Sequence, residues 1–358
     1  MSLPSHGANP HRLYEQLQID MPPIVYDFSE NVNARGVPSE IVDKWPALIE
    51  KLSAYPDPLG EPFLSHIADF HQVHPSEVLI GNGAAEILMF IAERYRGKRA
   101  VIVHPTFSEY EATLRAKDVS IERVLMGDDL QVPVEKVQAA MKQADVLYLC
   151  TPNNPTGILP SAEVLTACIE YGKEVHCDIV LDEAFIDFVD ENLSFIPKRT
   201  HHPHVIILRS MTKMFAIAGV RLGYAIADSA IIAGLRNDAP HWNVNGLAAE
   251  IGTLCLQAQS FIEQTKVDVA IEREKMQQFL RQHHCIVTES VANFLCFQLP
   301  DATQTRALYE DLLHRGIVLR HTENYEGLDG RWLRIGIKGS AQMTYLRKEM
   351  TRWFQQEQ

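Results

Sequence analysis

Ser210-Met211-Thr212-Lys213 brings a hydroxyl and an amine together, and Arg221 follows eight residues after the lysine, in Gly219-Val220-Arg221-Leu222-Gly223. The apolar run His204-Val205-Ile206-Ile207-Leu208 just before them reads as a buried parallel strand. The cluster therefore sits around a glycine-punctuated turn at a strand end. Such a set suits a phosphate beside a carbonyl carbon. The amine can add to the carbonyl, while the hydroxyl and guanidinium hold phosphate oxygens. A solvated lysine is the plain alternative for this stretch by itself.

Two upstream pieces fit the same ligand. Asp182, in Leu181-Asp182-Glu183-Ala184-Phe185, ends the run Asp178-Ile179-Val180-Leu181. A carboxylate at a strand's carboxyl end faces the crevice where α/β proteins bind ligands. It could pair with a protonated pyridine nitrogen, or cap a helix. Thr151-Pro152-Asn153-Asn154-Pro155-Thr156-Gly157 follows the apolar run 146–149. Its prolines and glycine make a rigid turn, from which an amide could bond a phenolic oxygen. Gly81-Asn82-Gly83 lacks the third glycine of a dinucleotide loop, because Glu86 stands there. The next strand ends Val103-His104-Pro105, without the acid a ribose needs. The better reading is a helix start whose amides at Gly83, Ala84 and Ala85 face a phosphate.

The elements that must position these groups alternate. Apolar runs at 78–80, 100–103, 120–125, 146–150, 179–182, 205–209 and 223–227 are separated mostly by helical patterns. That is the signature of a mostly parallel sheet wrapped by helices, an α/β fold. Beyond about residue 235 the pattern changes. A long helix is expected from Asn245 to about Arg281, broken near Ser260, then strands at 285–288, 294–299, 316–320 and 332–337 with helices at 303–315 and 341–354. The expected organisation is an N-terminal segment over 1–40, a large domain over 41–235, and a smaller α+β domain over 236–358.

Composition narrows the function. The chain has 358 residues, 46% of them hydrophobic, and a net charge of −13. There is no basic block of the kind a nucleic-acid backbone requires. No long uncharged apolar run or signal-peptide core stands out, so neither a membrane span nor export is expected, and the chain reads as cytoplasmic. The six cysteines are scattered, without a Cys-x-x-Cys pair, and read as reduced core thiols. His201, His202 and His204, and the pair His283-His284, have no partners in sequence that complete a ligand set, so no metal is expected.

The ordered set Asn-Pro-Thr-Gly, Asp-Glu-Ala and Ser-x-x-Lys with its distant arginine resembles the fold-type-I, pyridoxal-phosphate-dependent aminotransferase superfamily. The match spans nearly the whole chain. Within it the sequence is similar to the histidinol-phosphate aminotransferase branch, and there most of all to the threonine-phosphate decarboxylases. His6-Gly7-Ala8-Asn9, Phe28-Ser29-Glu30-Asn31-Val32-Asn33, the stretch 181–188, and Asn324-Tyr325-Glu326-Gly327 with Arg334 carry that finer likeness.

The resemblance implies a seven-stranded sheet in the large domain and pyridoxal 5'-phosphate as cofactor. Lys213 would bind the cofactor's aldehyde and move protons. Asp182 would pair with the ring nitrogen, and Asn154 would bond the ring oxygen. Ser210, Arg221 and the loop at Gly83, Ala84 and Ala85 would hold the phosphate. Phe107 would stack on the ring. Tyr55, in Tyr55-Pro56-Asp57-Pro58, would reach the partner's cofactor in a homodimer. Arg334 would clamp a substrate carboxylate, while Arg320, His6 and Asn33 would meet a substrate phosphate. Many relatives carry tyrosine where this chain has Phe185, so one hydrogen bond to the ring oxygen is missing; the phenylalanine fits the decarboxylase pattern.

The implied substrate is a small phosphorylated amino acid. The implied reaction is decarboxylation of L-threonine O-3-phosphate to (R)-1-amino-2-propanol O-2-phosphate, as in cobalamin biosynthesis. Its rival is a histidinol-phosphate or related aminotransferase. A cofactor-binding regulator without turnover is a weaker reading, because no spare DNA-binding segment is visible.

Overall fold

A computed structural model describes residues 3, 4 and 6–356. The first strand, β1 (Tyr26–Asp27), is short and stands apart. The next seven form one sheet: β2 (Val78–Gly81), β3 (Arg99–His104), β4 (Ser120–Leu125), β5 (Val146–Cys150), β6 (Asp178–Asp182), β7 (Val205–Ser210) and β8 (Gly223–Ile226). Their order is β2-β8-β7-β6-β5-β3-β4. Strands β7, β6, β5, β3 and β4 run parallel, and β8 is antiparallel to both its neighbours. This is the mostly parallel seven-stranded sheet expected from the sequence.

The central strands are apolar throughout because both faces are covered. Alternate residues feed two cores. Leu147, Leu149, Ile179, Leu181, Val205 and Ile207 enter one, while Val146, Tyr148, Val180, Ile206 and Leu208 enter the other. Strand β4 lies at the edge and is the exception, with Arg123 and Leu125 exposed.

Helices α1 (Pro10–Leu17), α2 (Ser39–Leu48) and α3 (Phe63–His71) precede the sheet. The crossovers are α4 (Ala84–Arg94), α5 (Glu109–Arg115), α6 (Val134–Met141) and α7 (Ala162–Val175). After the sheet come α8 (Ser229–Asn237), α9 (Gly246–Gln257) and α10 (Gln259–Gln282). The expected long helix is two helices, broken close to the expected Ser260. They join at Ala258, which is fully buried.

The C-terminal part holds β9 (Ile286–Val287), β10 (Phe294–Gln298), α11 (Thr305–His314), β11 (Ile317–Val318), β12 (Arg320–His321), β13 (Leu333–Gly336) and α12 (Ser340–Gln356). A four-stranded antiparallel sheet has the order β12-β13-β10-β9. One expected strand, 316–320, is divided between two sheets. Its first half, β11, pairs in parallel with β1, which the sequence had not suggested. Its second half, β12, pairs with β13, so that Arg320 lies directly opposite Arg334.

The N-terminal segment is tied to this C-terminal part. The Tyr14 hydroxyl donates to the Leu313 carbonyl at 2.7 Å, and Phe28 N donates to Val318 O at 2.8 Å.

Candidate active site

Parallel strands end on one edge of a sheet, and there the chain collects its polar residues. In register, Cys150 lies beside Asp182, and Asp182 beside Leu208. Strand β3 is flanked by β4 on one side and β5 on the other, so successive connections diverge there and leave a crevice. A cavity of about 300 Å³ opens at this edge. Lys213, Asp182, Asn154, Ser210, Arg221 and Phe107 line it, together with Ala84 and Ala85. His6, Arg320 and Arg334 line it from the N-terminal and C-terminal parts.

Neighbouring residues in each motif divide their work. Asp182 faces the cavity, while Glu183 is turned away. The Glu183 carboxylate accepts from Ser194 Oγ and Phe195 N, both at 2.7 Å. Asn154 faces the cavity, while Asn153 staples the turn. The Asn153 amide donates to Pro105 O and Thr156 Oγ1, both at 3.0 Å, and its oxygen accepts from Thr106 Oγ1 at 3.0 Å. Arg209, next to Ser210, is fully buried and bound to Glu191.

Asp182 accepts hydrogen bonds from the Tyr110 hydroxyl and from Ala184 N, the latter at 2.9 Å. Burial raises its pKa; these two bonds and the charge of Lys213 work against the rise. Among the described residues no cation pairs with this carboxylate within ion-pair distance. A buried acid so placed suits a ligand that brings its own positive charge. Burial pulls the Lys213 amine down to about 8, with Arg221 and Arg334 pushing the same way and Glu30 and Asp182 opposing. A lysine so depressed has a substantial neutral fraction near neutral pH and can attack a carbonyl carbon.

Gly83 caps α4 with φ of 82°, and a Cβ there would come within 2.5 Å of Arg221 Nη2. Only glycine leaves room for that guanidinium beside the helix start. The Gly83 amide itself donates to Gly81 O at 2.7 Å. The expectation that it faces a phosphate is therefore corrected: the amides of Ala84 and Ala85 begin the helix at the cavity, and Gly83 supplies the bend beneath them. Ser210 Oγ lies 2.9 Å from Thr212 Oγ1. A helix N-terminus, two hydroxyls and an arginine are a set that suits a phosphate.

At the other end, Arg334 is buried and bonded to Asn154 Oδ1 at 2.5 Å and to Ser29 O at 2.7 Å. Its Nε has no partner among the described residues. Arg320 is also buried. It bonds His321 O at 2.8 Å and Asn324 Oδ1 at 2.6 Å, and stands 5.2 Å over the Tyr325 ring. His6 Nε2 lies 2.9 Å from Glu109. Asn33 differs from expectation. It does not line this cavity, because its amide is spent on Met214 O at 2.7 Å and Thr265 Oγ1 at 3.0 Å. It staples the N-terminal segment to the lysine loop instead. Tyr55 lies outside the cavity and is 83% exposed, with its ring 5.0 Å from that of Trp242.

Comparison with known proteins decides the family. The model of aminotransferase classes I and II matches residues 23–349. The chain belongs to the class I and II aminotransferase family. Its cofactor is pyridoxal 5'-phosphate, and the protein is an enzyme. The chain is 36% identical to a threonine-phosphate decarboxylase of Salmonella typhimurium, over 94% of this chain and 93% of that one. It is 31% identical to a histidinol-phosphate aminotransferase of Thermococcus gammatolerans, over 81% and 82% of the two chains. The solved histidinol-phosphate aminotransferase of Clostridium acetobutylicum is similar to it with a TM-score of 0.87, at 26% identity, covering 92% of this chain and 99% of that one.

The residues present fit the family cofactor. The depressed lysine suits its aldehyde, the helix start with its hydroxyls and arginine suits its phosphate, and the unpaired buried acid suits its ring nitrogen. Sequence reasoning missed Tyr110, Thr212, Glu30 and Tyr325. Tyr110 follows Phe107 by three, a spacing that sets both on one side of a helical turn, and their rings stand 5.6 Å apart. Tyr325 and Glu30 lay inside recognised motifs and carried no assigned role. Phe185 lines the cavity against Phe294, with ring centroids 4.8 Å apart.

Proposed function

We propose that the protein decarboxylates L-threonine O-3-phosphate, releasing carbon dioxide and (R)-1-amino-2-propanol O-2-phosphate. The observation that carries this reading is the pair of buried arginines, Arg320 and Arg334, opposite one another in register and lining the same cavity as Lys213. Two fixed guanidinium groups call for a ligand with two anionic ends, such as a carboxylate and a phosphate. Similarity to a decarboxylase of that name supports it.

When bound, pyridoxal phosphate withdraws electrons from the bond that breaks at the α-carbon. The protein's own part is positioning and proton movement. Arg334 binds the carboxylate, and Arg320 with His6 binds the phosphate. Holding both ends fixes which α-carbon bond is presented for cleavage. Lys213 then supplies a proton to the α-carbon. Asp182, steadied by Tyr110, would balance charge at the ring nitrogen, and Asn154 would bond the ring oxygen. Ser210, Arg221, Ala84 and Ala85 would hold the cofactor's phosphate, and Phe107 would cover the ring.

A second reading is transamination of histidinol phosphate, supported by relatives of that name. Histidinol phosphate has no carboxylate, so it leaves one of the two buried arginines without an anion. We also propose a homodimer in which Tyr55 reaches the partner's cofactor. The exposed apolar side chains Trp45, Ile49, Leu52 and Trp242 support an interface there. A place in cobalamin assembly, in the cytoplasm, completes the proposal.

The test is one assay with both substrates. Carbon dioxide released from threonine phosphate without a keto acid supports the decarboxylase. Keto-acid-dependent consumption of histidinol phosphate, with no carbon dioxide from threonine phosphate, overturns it.

A further inference from the structure

Three consecutive residues in the loop between β12 and β13 face three different ways. Asn324 Oδ1 accepts from Arg320 at 2.6 Å. Tyr325 lines the cavity beneath the same arginine. Glu326 reaches away from both, to Arg123 on the edge strand β4, with Oε2 at 3.0 Å from Nε. Arg123 also bonds Glu111 on α5, again at 3.0 Å from Nε, and Arg115 holds the other Glu111 oxygen at 2.7 Å. The next residue, Gly327, is already against the large sheet. A Cβ there would lie 3.7 Å from Pro105 and 3.9 Å from Leu125.

Ligand atoms of His104, Glu111 and Glu326 lie within 4.8 Å of one another. A metal does not explain them, because guanidinium groups already occupy both carboxylates. Arg123 holds the Glu111 carboxyl down at about 2, so this acid remains charged at any ordinary pH. Arg123 stands between the two carboxylates, with Arg115 also on Glu111, and the cluster joins the C-terminal loop to the large sheet.

We infer that Arg123 and Glu326 are positioning residues that pin this loop to the large sheet and thereby set where Arg320 stands in the cavity. The inference rests on the proposed reading of Arg320 as the group that receives the substrate's phosphate. Neither Arg123 nor Glu326 lines the cavity, so they act only through Asn324, Tyr325 and Arg320. Their side chains are 34% and 44% exposed, so the pair is a modest contact. Its leverage comes from its place beside the residues that hold the arginine.

The experiment uses the holoenzyme as wild type, Arg123→Ala, Glu326→Ala and the charge-reversed pair Arg123→Glu with Glu326→Arg. Two quantities are read: steady-state constants with threonine phosphate, and hydrogen exchange of residues 322–331 without substrate. Each single change raises KM about two- to fivefold, the scale of a partly exposed ion pair, with kcat nearly unchanged. Exchange in the loop becomes faster. The reversed pair again places one cation between two carboxylates, and it recovers both quantities. Unchanged KM and exchange in the single variants, or no recovery in the reversed pair, overturns the inference. Exchange needs no substrate. A wild type that leaves threonine phosphate untouched therefore defeats the substrate proposal, while the loop contact is still judged by exchange.

Discussion

The two ends of the cavity are built differently. The end proposed for the cofactor is made of strand ends: Asp182 closes β6, Ser210 closes β7, and Asn154 and Lys213 follow β5 and β7 within four residues. The end proposed for the substrate is assembled from distant segments. Arg334 reaches Ser29 and Asn154, 305 and 180 residues away in sequence. Arg320 and His6 come from opposite ends of the chain, and Arg320 lies on a strand that changed sheets. A short motif can specify the first end, because a parallel sheet delivers its carboxyl ends to one edge. The second end depends on how the N-terminal and C-terminal parts meet the sheet. In the proposed reading, chemistry common to the family is anchored in the first, and the choice of substrate in the second.

The sharpest break of this contrast is Lys213→Ala. Turnover should fall by about a thousandfold or more, the scale of losing a positioned acid–base group, and the purified variant should lack the yellow colour expected of a lysine-bound cofactor in the wild type. Absorbance and initial rates check this together; a colourless variant with wild-type turnover would remove the lysine from the mechanism. Arg334→Ala should cost about 10- to 100-fold in kcat/KM, the scale of a lost charged bidentate contact, while the colour of the bound cofactor persists. Loss of cofactor instead of substrate affinity would show that the two ends are not separable.

The smaller effect concerns pH. Only the neutral Lys213 amine attacks an aldehyde, and its pKa lies at about 8. Cofactor uptake by the apo-protein should therefore speed up about tenfold per pH unit below 8 and level off above it. The folded pKa lies below the ordinary lysine value of 10.5, so the unfolded chain binds more protons between the two. This group thus destabilises the apo-protein at lower pH, and the cost is relieved as pH rises from about 8 toward 10.5. Rapid-mixing absorbance measures the uptake, and thermal melts of the apo-protein measure the stability.

The strand runs of the large sheet were legible because burial on both faces leaves unbroken apolar segments. Strand β1 was not, since two residues carry no periodicity. The division of 316–320 between two sheets was also hidden, because the two short strands follow one another with a single residue between them and only their partners differ. Asn33 was misread for a related reason. An amide between two backbone segments looks, in sequence, like an amide facing a ligand. Its bonds to Met214 and Thr265 become visible only when residues 181 and 232 positions apart are brought together.

By itself the sequence determined the class of sheet, the cofactor and the family, because each of these depends on local patterns of apolar spacing and motif. The tertiary structure alone showed what the other member of each pair does: Glu183 holds Ser194 and Phe195, and Asn153 staples its own turn to Pro105. It also decided that Arg320 and Arg334 stand opposite each other, and that Arg123 ties their loop to the sheet. The physical reason is that facing and pairing are set by contacts between segments far apart in sequence, which no local pattern records.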